Sequence, residues 1–239
     1  MAKTDFEGRF LGVLGGMGPL AGATFMTRLT LLTPAQRDQD HIPAILWNDP
    51  RIPGRPAAFL EQGEDPLPWM ANGIKHLEAA GAKAVVIPCN TAHLWYEPLT
   101  QCSSVPILHI VEAVIANLRQ QGVKQAKVGL LATAATLHFQ LYQPLLAEQG
   151  YEVIELDADD LANYCTSAIE LVKQNKLEQA QHSLTPAINL LHERGAQAVI
   201  LGCTELPLAL PLEQRGQWPI PIVDSVDALA LAAIRWWNE

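Results

Sequence analysis

The segment Gly81-Ala-Lys-Ala-Val-Val-Ile-Pro-Cys89 recurs 114 residues later as Gly195-Ala-Gln-Ala-Val-Ile-Leu-Gly-Cys203. Ile74 and Leu77 ahead of the first copy match Ile188 and Leu191 ahead of the second, so each copy reads as amphipathic helix, glycine stop, buried strand and cysteine. Upstream, Leu11-Gly-Val-Leu-Gly-Gly16 resembles Val128-Gly-Leu-Leu-Ala-Thr133. Downstream, Pro106-Ile-Leu-His-Ile-Val-Glu-Ala113 resembles Pro221-Ile-Val-Asp-Ser-Val-Asp-Ala228. Three segments in the same order and at nearly one interval indicate an internal duplication, which restricts the chain to two like units.

The apolar runs Phe10 to Leu14, Ala44 to Trp47, Val85 to Ile87, Val128 to Leu131 and Val199 to Leu201 are short and continuous rather than alternating. That is the pattern of parallel strands covered on both faces. Helical stretches separate them, at Pro68 to Ala80, Ile110 to Gln121, Leu161 to Gln174 and Leu177 to Arg194, so the expected fold is α/β. It consists of two pseudo-symmetric, doubly wound lobes with mainly parallel sheets and a site in the cleft between them. An X-Pro pair favours extended backbone, and Val105-Pro106 and Ile220-Pro221 are read as the crossings. The first lobe then comprises residues 1–105 plus 221–239 and the second 106–220, with Trp236 and Trp237 covering core in the first.

Sixteen basic against 25 acidic residues give a formal charge of −9, the wrong sign for neutralising nucleic-acid phosphates or anionic lipid. Neither nucleic acid nor membrane is an expected partner: no apolar run approaches a membrane span, and Lys3, Asp5, Glu7 and Arg9 fall where a secretory signal would be apolar. The expected setting is the cytosol, where four cysteines without close pairing stay reduced. Cys102 and Cys165 read as surface or packing residues.

Cys89 and Cys203 differ from those two. Each follows a strand, where parallel α/β sheets bind ligands, and each is followed within two residues by threonine, in Cys89-Asn90-Thr91 and Cys203-Thr204. Facing lobes would bring both thiols to one cleft. Inverting a stereocentre requires that arrangement, because a proton leaves one face of a carbon and another arrives at the opposite face. A helix beginning after each strand is expected to lower the thiol pKa from about 8.5 and, with Asn90, Thr91 and Thr204, to bind a carboxylate.

The motifs Leu14-Gly-Gly-Met-Gly-Pro19, Pro88-Cys-Asn-Thr-Ala-His93, Leu131-Ala-Thr-Ala-Ala-Thr136 and Gly202-Cys-Thr-Glu205 together resemble those of the cofactor-independent aspartate/glutamate racemase family. The likeness extends to Thr33-Pro-Ala-Gln-Arg-Asp-Gln-Asp40 and to Asn48-Asp-Pro-Arg-Ile-Pro-Gly-Arg55. It implies an amino-acid racemase without cofactor or metal, most like an aspartate racemase, that works as a homodimer on aspartate, with a glutamate or broad-specificity amino-acid racemase as the alternative. Cys89 and Cys203 would carry the two proton transfers. Asn90, Thr91, Thr133, Thr136 and Thr204 would hold the α-carboxylate and ammonium, with Met17 as a cleft wall and Asn48 in the substrate loop. Arg55 and Lys173 would grip the side-chain carboxylate, and Glu205 stands where glutamate racemases usually have histidine. Three positions depart from the family pattern: Gly54 replaces a usual Asp, Ala135 a common Gly, and Phe139 a small hydroxyl residue.

Other readings remain beside this one. Gly16-Met-Gly-Pro-Leu-Ala21 matches a dinucleotide fingerprint, but Pro19 removes an N–H and no acidic residue ends a strand about 20 positions on. Cys89 and His93 with Cys203 and Glu205 lack the paired short spacings of structural zinc, and His93 reads as a helix-face or capping residue. A single-thiol decarboxylase would need one cysteine, and an amino-acid-binding protein neither.

Overall fold

The structure, a computed structural model, describes residues 9–60 and 63–239, so Lys3, Asp5 and Glu7 lie outside the described residues. The described strands form two parallel four-stranded sheets. The first contains β1 (Phe10–Gly15), β2 (Ala44–Asn48), β3 (Ala82–Val86) and β4 (Ile107–Leu108) in the order β2-β1-β3-β4. The second contains β5 (Lys127–Leu131), β6 (Glu152–Ile154), β7 (Ala198–Leu201) and β8 (Ile222–Asp224) in the order β6-β5-β7-β8. The two orders are the same order, and the duplication read from the chain is a duplication of topology.

Matching residues do matching work in the two lobes. Gly81 and Gly195 end their helices with φ of +101° and +93°, a left-handed turn that glycine adopts without steric cost. Gly12 and Gly129 lie under Leu77 and Leu191: a Cβ at either strand position would come within 3.2 Å and 3.0 Å of the leucine Cβ. The bare backbone therefore lets the outer helices Leu67–Ala79 and Leu177–Glu193 lie close on the sheets. Each of those leucines is fully buried, worth roughly 1.5–3 kcal/mol.

The expected crossings at Pro106 and Pro221 need correction. Both prolines begin edge strands that stay with the sheet just completed, and their carbonyls accept from Val85 N and Val199 N at 2.9 Å each. Proline suits that position because it lacks only the N–H that an edge strand leaves unpaired. The chain passes between lobes a few residues later, through the helices Ile110–Gln120 and Ser225–Asn238. His109 caps the first, its Nδ1 accepting from Val111 N at 3.2 Å. Asp224, the residue matching His109 in the repeat, caps the second by accepting from Val226 N at 2.7 Å and Asp227 N at 3.2 Å. Such caps contribute about 1 kcal/mol each.

These two helices pack on one another and, with Pro19–Leu32, form an apolar layer between the inner faces of both sheets. Leu11, Val13, Ala84 and Val86 of the first sheet and Val128, Leu130, Ala198 and Ile200 of the second all face this layer. Trp236 and Trp237 pack on its edge, where Arg9 stacks on the Trp236 ring at 4.0 Å and donates to the Trp236 carbonyl at 2.6 Å. Because the core is shared, the lobes are held at a fixed spacing, and the clefts at their strand ends open toward each other.

Candidate active site

Cys89 and Cys203 each follow the carboxyl end of a central strand, β3 and β7, and both line one cavity of about 230 Å³. Met17, Arg55, Asn90, Thr91, Thr133, Lys173, Thr204 and Glu205 share its wall. That volume is below the ~300–1,000 Å³ of drug-sized pockets and fits a small metabolite. The glycine loop closes one side. Gly16 has φ of +93°, and a Cβ there would meet the Asp49 carbonyl oxygen at 2.2 Å, so only glycine lets this loop lie against the substrate loop.

The polar wall is cross-braced between lobes. Thr91 Oγ1 lies 3.0 Å from the hydroxyls of both Thr133 and Thr136. Asn90 donates through Nδ2 to Ser225 Oγ at 3.0 Å and accepts from the buried Tyr142 hydroxyl. Glu205 joins the sides directly: Oε1 accepts from Gly18 N at 3.3 Å, while Oε2 lies 3.1 Å from Cys203 Sγ and 3.2 Å from Thr204 Oγ1. Gly18 N is thereby engaged and Pro19 has no N–H, which leaves little of this loop to cradle a pyrophosphate.

Two cations reach the cavity in different states. Arg55 opens the helix Arg55–Leu60 and donates through Nη1 to the carbonyls of Ile52 and Pro53, at 3.1 Å and 2.8 Å. Its Nε is buried without a partner, and no carboxylate pairs with it among the described residues. Arg51, in the same loop, is instead turned away onto Asp49 at 2.8 Å, which holds that carboxyl down at about 2. Lys173 is half exposed and paired with Glu170 at 2.7 Å. Arg55 is thus a cavity cation without a carboxylate partner among the described residues, whereas Lys173 is already ion-paired.

The expected lowering of the thiol pKa values is not found. Burial pushes the Cys89 thiol up, partly offset by the Arg55 guanidinium and raised again by Glu205. Burial pushes Cys203 well up, and the Glu205 carboxylate adds to it. The physical reason is local. Cys89 is followed by a five-residue 3₁₀ turn, Thr91–Trp95, that sets the α-helix Tyr96–Cys102 seven positions away, and Cys203 by the four-residue helix Leu206–Ala209, so neither sulfur sits at the start of a helix whose dipole outweighs desolvation.

Other predicted residues lie elsewhere. Thr136 is fully buried behind Thr91 and Thr133, one layer below the cavity. Asn48 is off the wall: its amide oxygen occupies the space that side chains at Gly15 and Gly22 would fill. Phe139 does not line the cavity either. Its ring packs on Phe59 of the Arg55 helix at 4.6 Å, which ties that helix to the second lobe. Cys165 is fully buried, with its thiol at about 12, and Cys102 is exposed. Pro50, Pro56 and Ile169 line the cavity without any sequence signal beyond their neighbours, and Tyr142 and Ser225 act on Asn90 from distant segments.

His93 has no free lone pair for a metal: Nδ1–H donates to the Cys89 carbonyl at 2.9 Å and Nε2 accepts from Ile110 N at 3.3 Å. That pairing fixes the neutral ring, and burial lowers its pKa to about 3 while His109 beside it falls to about 4. Below about 6.5 the unfolded chain takes up protons that the folded chain refuses, so stability is complete above that pH and is lost as pH falls toward 4 and 3. Between pH 6 and 5 each imidazole should contribute a slope approaching about 1.4 kcal/mol per pH unit. Urea unfolding at stepped pH checks this, and His93→Gln should remove roughly half of the slope.

The family model described as Asp/Glu/hydantoin racemase matches residues 14–233. The broad-specificity amino-acid racemase RacX of Bacillus subtilis (strain 168) is 30% identical over 230 residues, covering 94% of this chain and 96% of that protein. The structure of Picrophilus torridus aspartate racemase superposes with a TM-score of 0.85 at 34% identity, covering 97% and 95% of the two chains. The fold also matches glutamate racemase from Francisella tularensis subsp. tularensis SCHU S4, with a TM-score of 0.70 at 20% identity over 97% and 82%. The chain belongs to the Asp/Glu/hydantoin racemase family.

Proposed function

We propose that the protein is an aspartate racemase that interconverts L- and D-aspartate by proton transfer between Cys89 and Cys203, without a cofactor. The observation that carries this reading is two thiols at equivalent strand ends of duplicated lobes, on one small cavity that also holds the unpaired Arg55. One sulfur, as thiolate, breaks the Cα–H bond, and the electron pair passes into the α-carboxylate. The opposite thiol gives its proton to the other face, and the roles reverse for the return direction. Asn90, Thr91 and Thr204 supply donors to the carboxylate as its charge grows, in a site where burial strengthens each contact. Burial opposes thiolate formation, so the substrate ammonium, brought in beside the sulfurs, is assigned part of the work of generating it.

A broad-specificity reading is favoured by the RacX similarity, which runs nearly end to end. The aspartate reading rests on the cavity volume, on Arg55 and on the aspartate racemase neighbour. Purified protein incubated with L-aspartate, L-glutamate or a neutral amino acid, followed by chiral chromatography, separates them. Aspartate should racemise at the highest kcat/KM. Equal rates on neutral amino acids would overturn the aspartate preference, and no inversion of any of them would overturn the activity. The protein is further proposed to work in the cytosol as a homodimer.

A further inference from the structure

We propose that Glu205 is a positioning residue that holds Cys203 as the protonated, proton-donating member of the pair and leaves Cys89, on the same cavity wall as the Arg55 guanidinium, as the more readily ionised of the two. This rests on the two-thiol reading above. Duplication makes the sulfurs equivalent in the fold, so any inequality must come from residues the repeats do not share. Two such residues carry opposite charge. Two positions after the cysteine, the first repeat has the neutral Thr91 and the second has Glu205, whose Oε2 stands 3.1 Å from Cys203 Sγ. The connection after β2 supplies Arg55, whereas the one after β6 carries Asp157, Asp159 and Asp160 and no arginine.

The carboxylate accepts the Cys203 S–H bond and would repel a thiolate in the same place. Its other oxygen is fixed by Gly18 N of the opposite lobe, so it cannot turn away without opening the cleft. Arg55 acts on Cys89 in the opposite sense. The remaining groups near the pair do not cancel this difference: Cys165 and Tyr142 are buried and neutral, Asp224 behind Tyr142 is tied to Arg215, and Lys173 is paired with Glu170. A turnover from this form moves the α-proton to Cys89, the bond's electron pair to the carboxylate, and the Cys203 proton to the opposite face. It ends with Cys89 as thiol and Cys203 as thiolate. Proton exchange with water returns the proton to Cys203, so the enantiomer whose α-hydrogen faces Cys89 meets the sulfur that ionises first.

Alkylation of the whole protein with iodoacetamide tests this, with the rate at each cysteine read by peptide mass. The thiolate is the nucleophile, and the two residues are equally accessible, at 6% and 5% exposed on one cavity. Cys89 should react at least about tenfold faster than Cys203, whose rate should rise only at higher pH. Glu205→Gln should raise the Cys203 rate and bring the ratio toward one. Cys165 reports folding: where it becomes labelled, the variant has opened and the wild-type ratio decides. Cys203 reacting as fast as Cys89 in the wild type, or an unchanged ratio in folded Glu205→Gln, overturns the proposal. Racemisation measured on the same preparation keeps the two readings apart, since asymmetric labelling without turnover would overturn the function and not the asymmetry.

Discussion

Cys89→Ser and Cys203→Ser are each expected to lower racemisation of aspartate by about 10²–10⁴-fold or more, the contribution of one positioned acid or base. Serine keeps the shape of the side chain but its hydroxyl is a far weaker acid than a thiol, so neither the abstraction nor the return of the proton is served at that face. The effect should fall on kcat rather than on KM, because the proposed substrate-binding groups of Arg55, Asn90, Thr91 and Thr204 are unchanged. A further signature separates lost chemistry from lost folding. With one thiol left, the variant should still exchange the α-hydrogen of one enantiomer with solvent without inverting it, and the complementary variant should act on the other enantiomer. A decarboxylase using one thiol would tolerate one of the two substitutions, and a binding protein would keep its affinity in both.

Arg215→Ala is expected to carry the largest cost in stability. Arg215 Nη2 pairs with Asp224 Oδ2 at 2.8 Å, and their side chains are 11% and 5% exposed. The arginine also donates through Nε to the Leu210 carbonyl at 3.1 Å. Removing one partner of a buried pair leaves the other charge desolvated, here with only the capping N–H groups of Val226 and Asp227 on one of its oxygens, and costs about 3–5 kcal/mol. For a chain of this size that corresponds to a fall in Tm of roughly 6–20 °C. The loss should reach the site as well, because Asp224 caps the helix that begins at Ser225, the residue that receives the Asn90 amide. Adding Asp224→Asn, which removes the stranded charge and keeps a capping oxygen, should recover much of the stability. A fall in Tm under about 2 °C for the single variant would mean that the pair is solvated and contributes little.

These two predictions draw on features that were legible in the sequence to different degrees. The duplicated strands, the glycine stops and the cysteines were readable because each is a local pattern, repeated at one interval, and burial on both faces leaves a continuous apolar run. β6 was not, since three residues that begin with Glu152 and are followed by Glu155 carry no period. The lobe crossings were misplaced by a few residues because Pro106 and Pro221 mark an edge strand as readily as a connection. Tyr142 and Ser225 reach Asn90 from 52 and 135 residues away, and such contacts leave no trace in spacing. The direction of the thiol shifts depended on burial against very short turns, a balance of magnitudes that a motif does not encode. Phe139 and Asn48 show the same limit, as each sits beside a site segment while its side chain faces a neighbour.

In the proposed mechanism different sulfurs serve the two faces of one carbon, and the fate of the α-hydrogen distinguishes this from a single shared base. L-Aspartate carrying ordinary hydrogen is incubated with the wild-type protein in deuterium oxide, and both enantiomers are analysed at low conversion. Two sulfurs predict D-aspartate carrying one deuterium at the α-carbon beside recovered L-aspartate that carries almost none. Deuterium accumulating in recovered L-aspartate ahead of inversion, or none in either enantiomer, would contradict it.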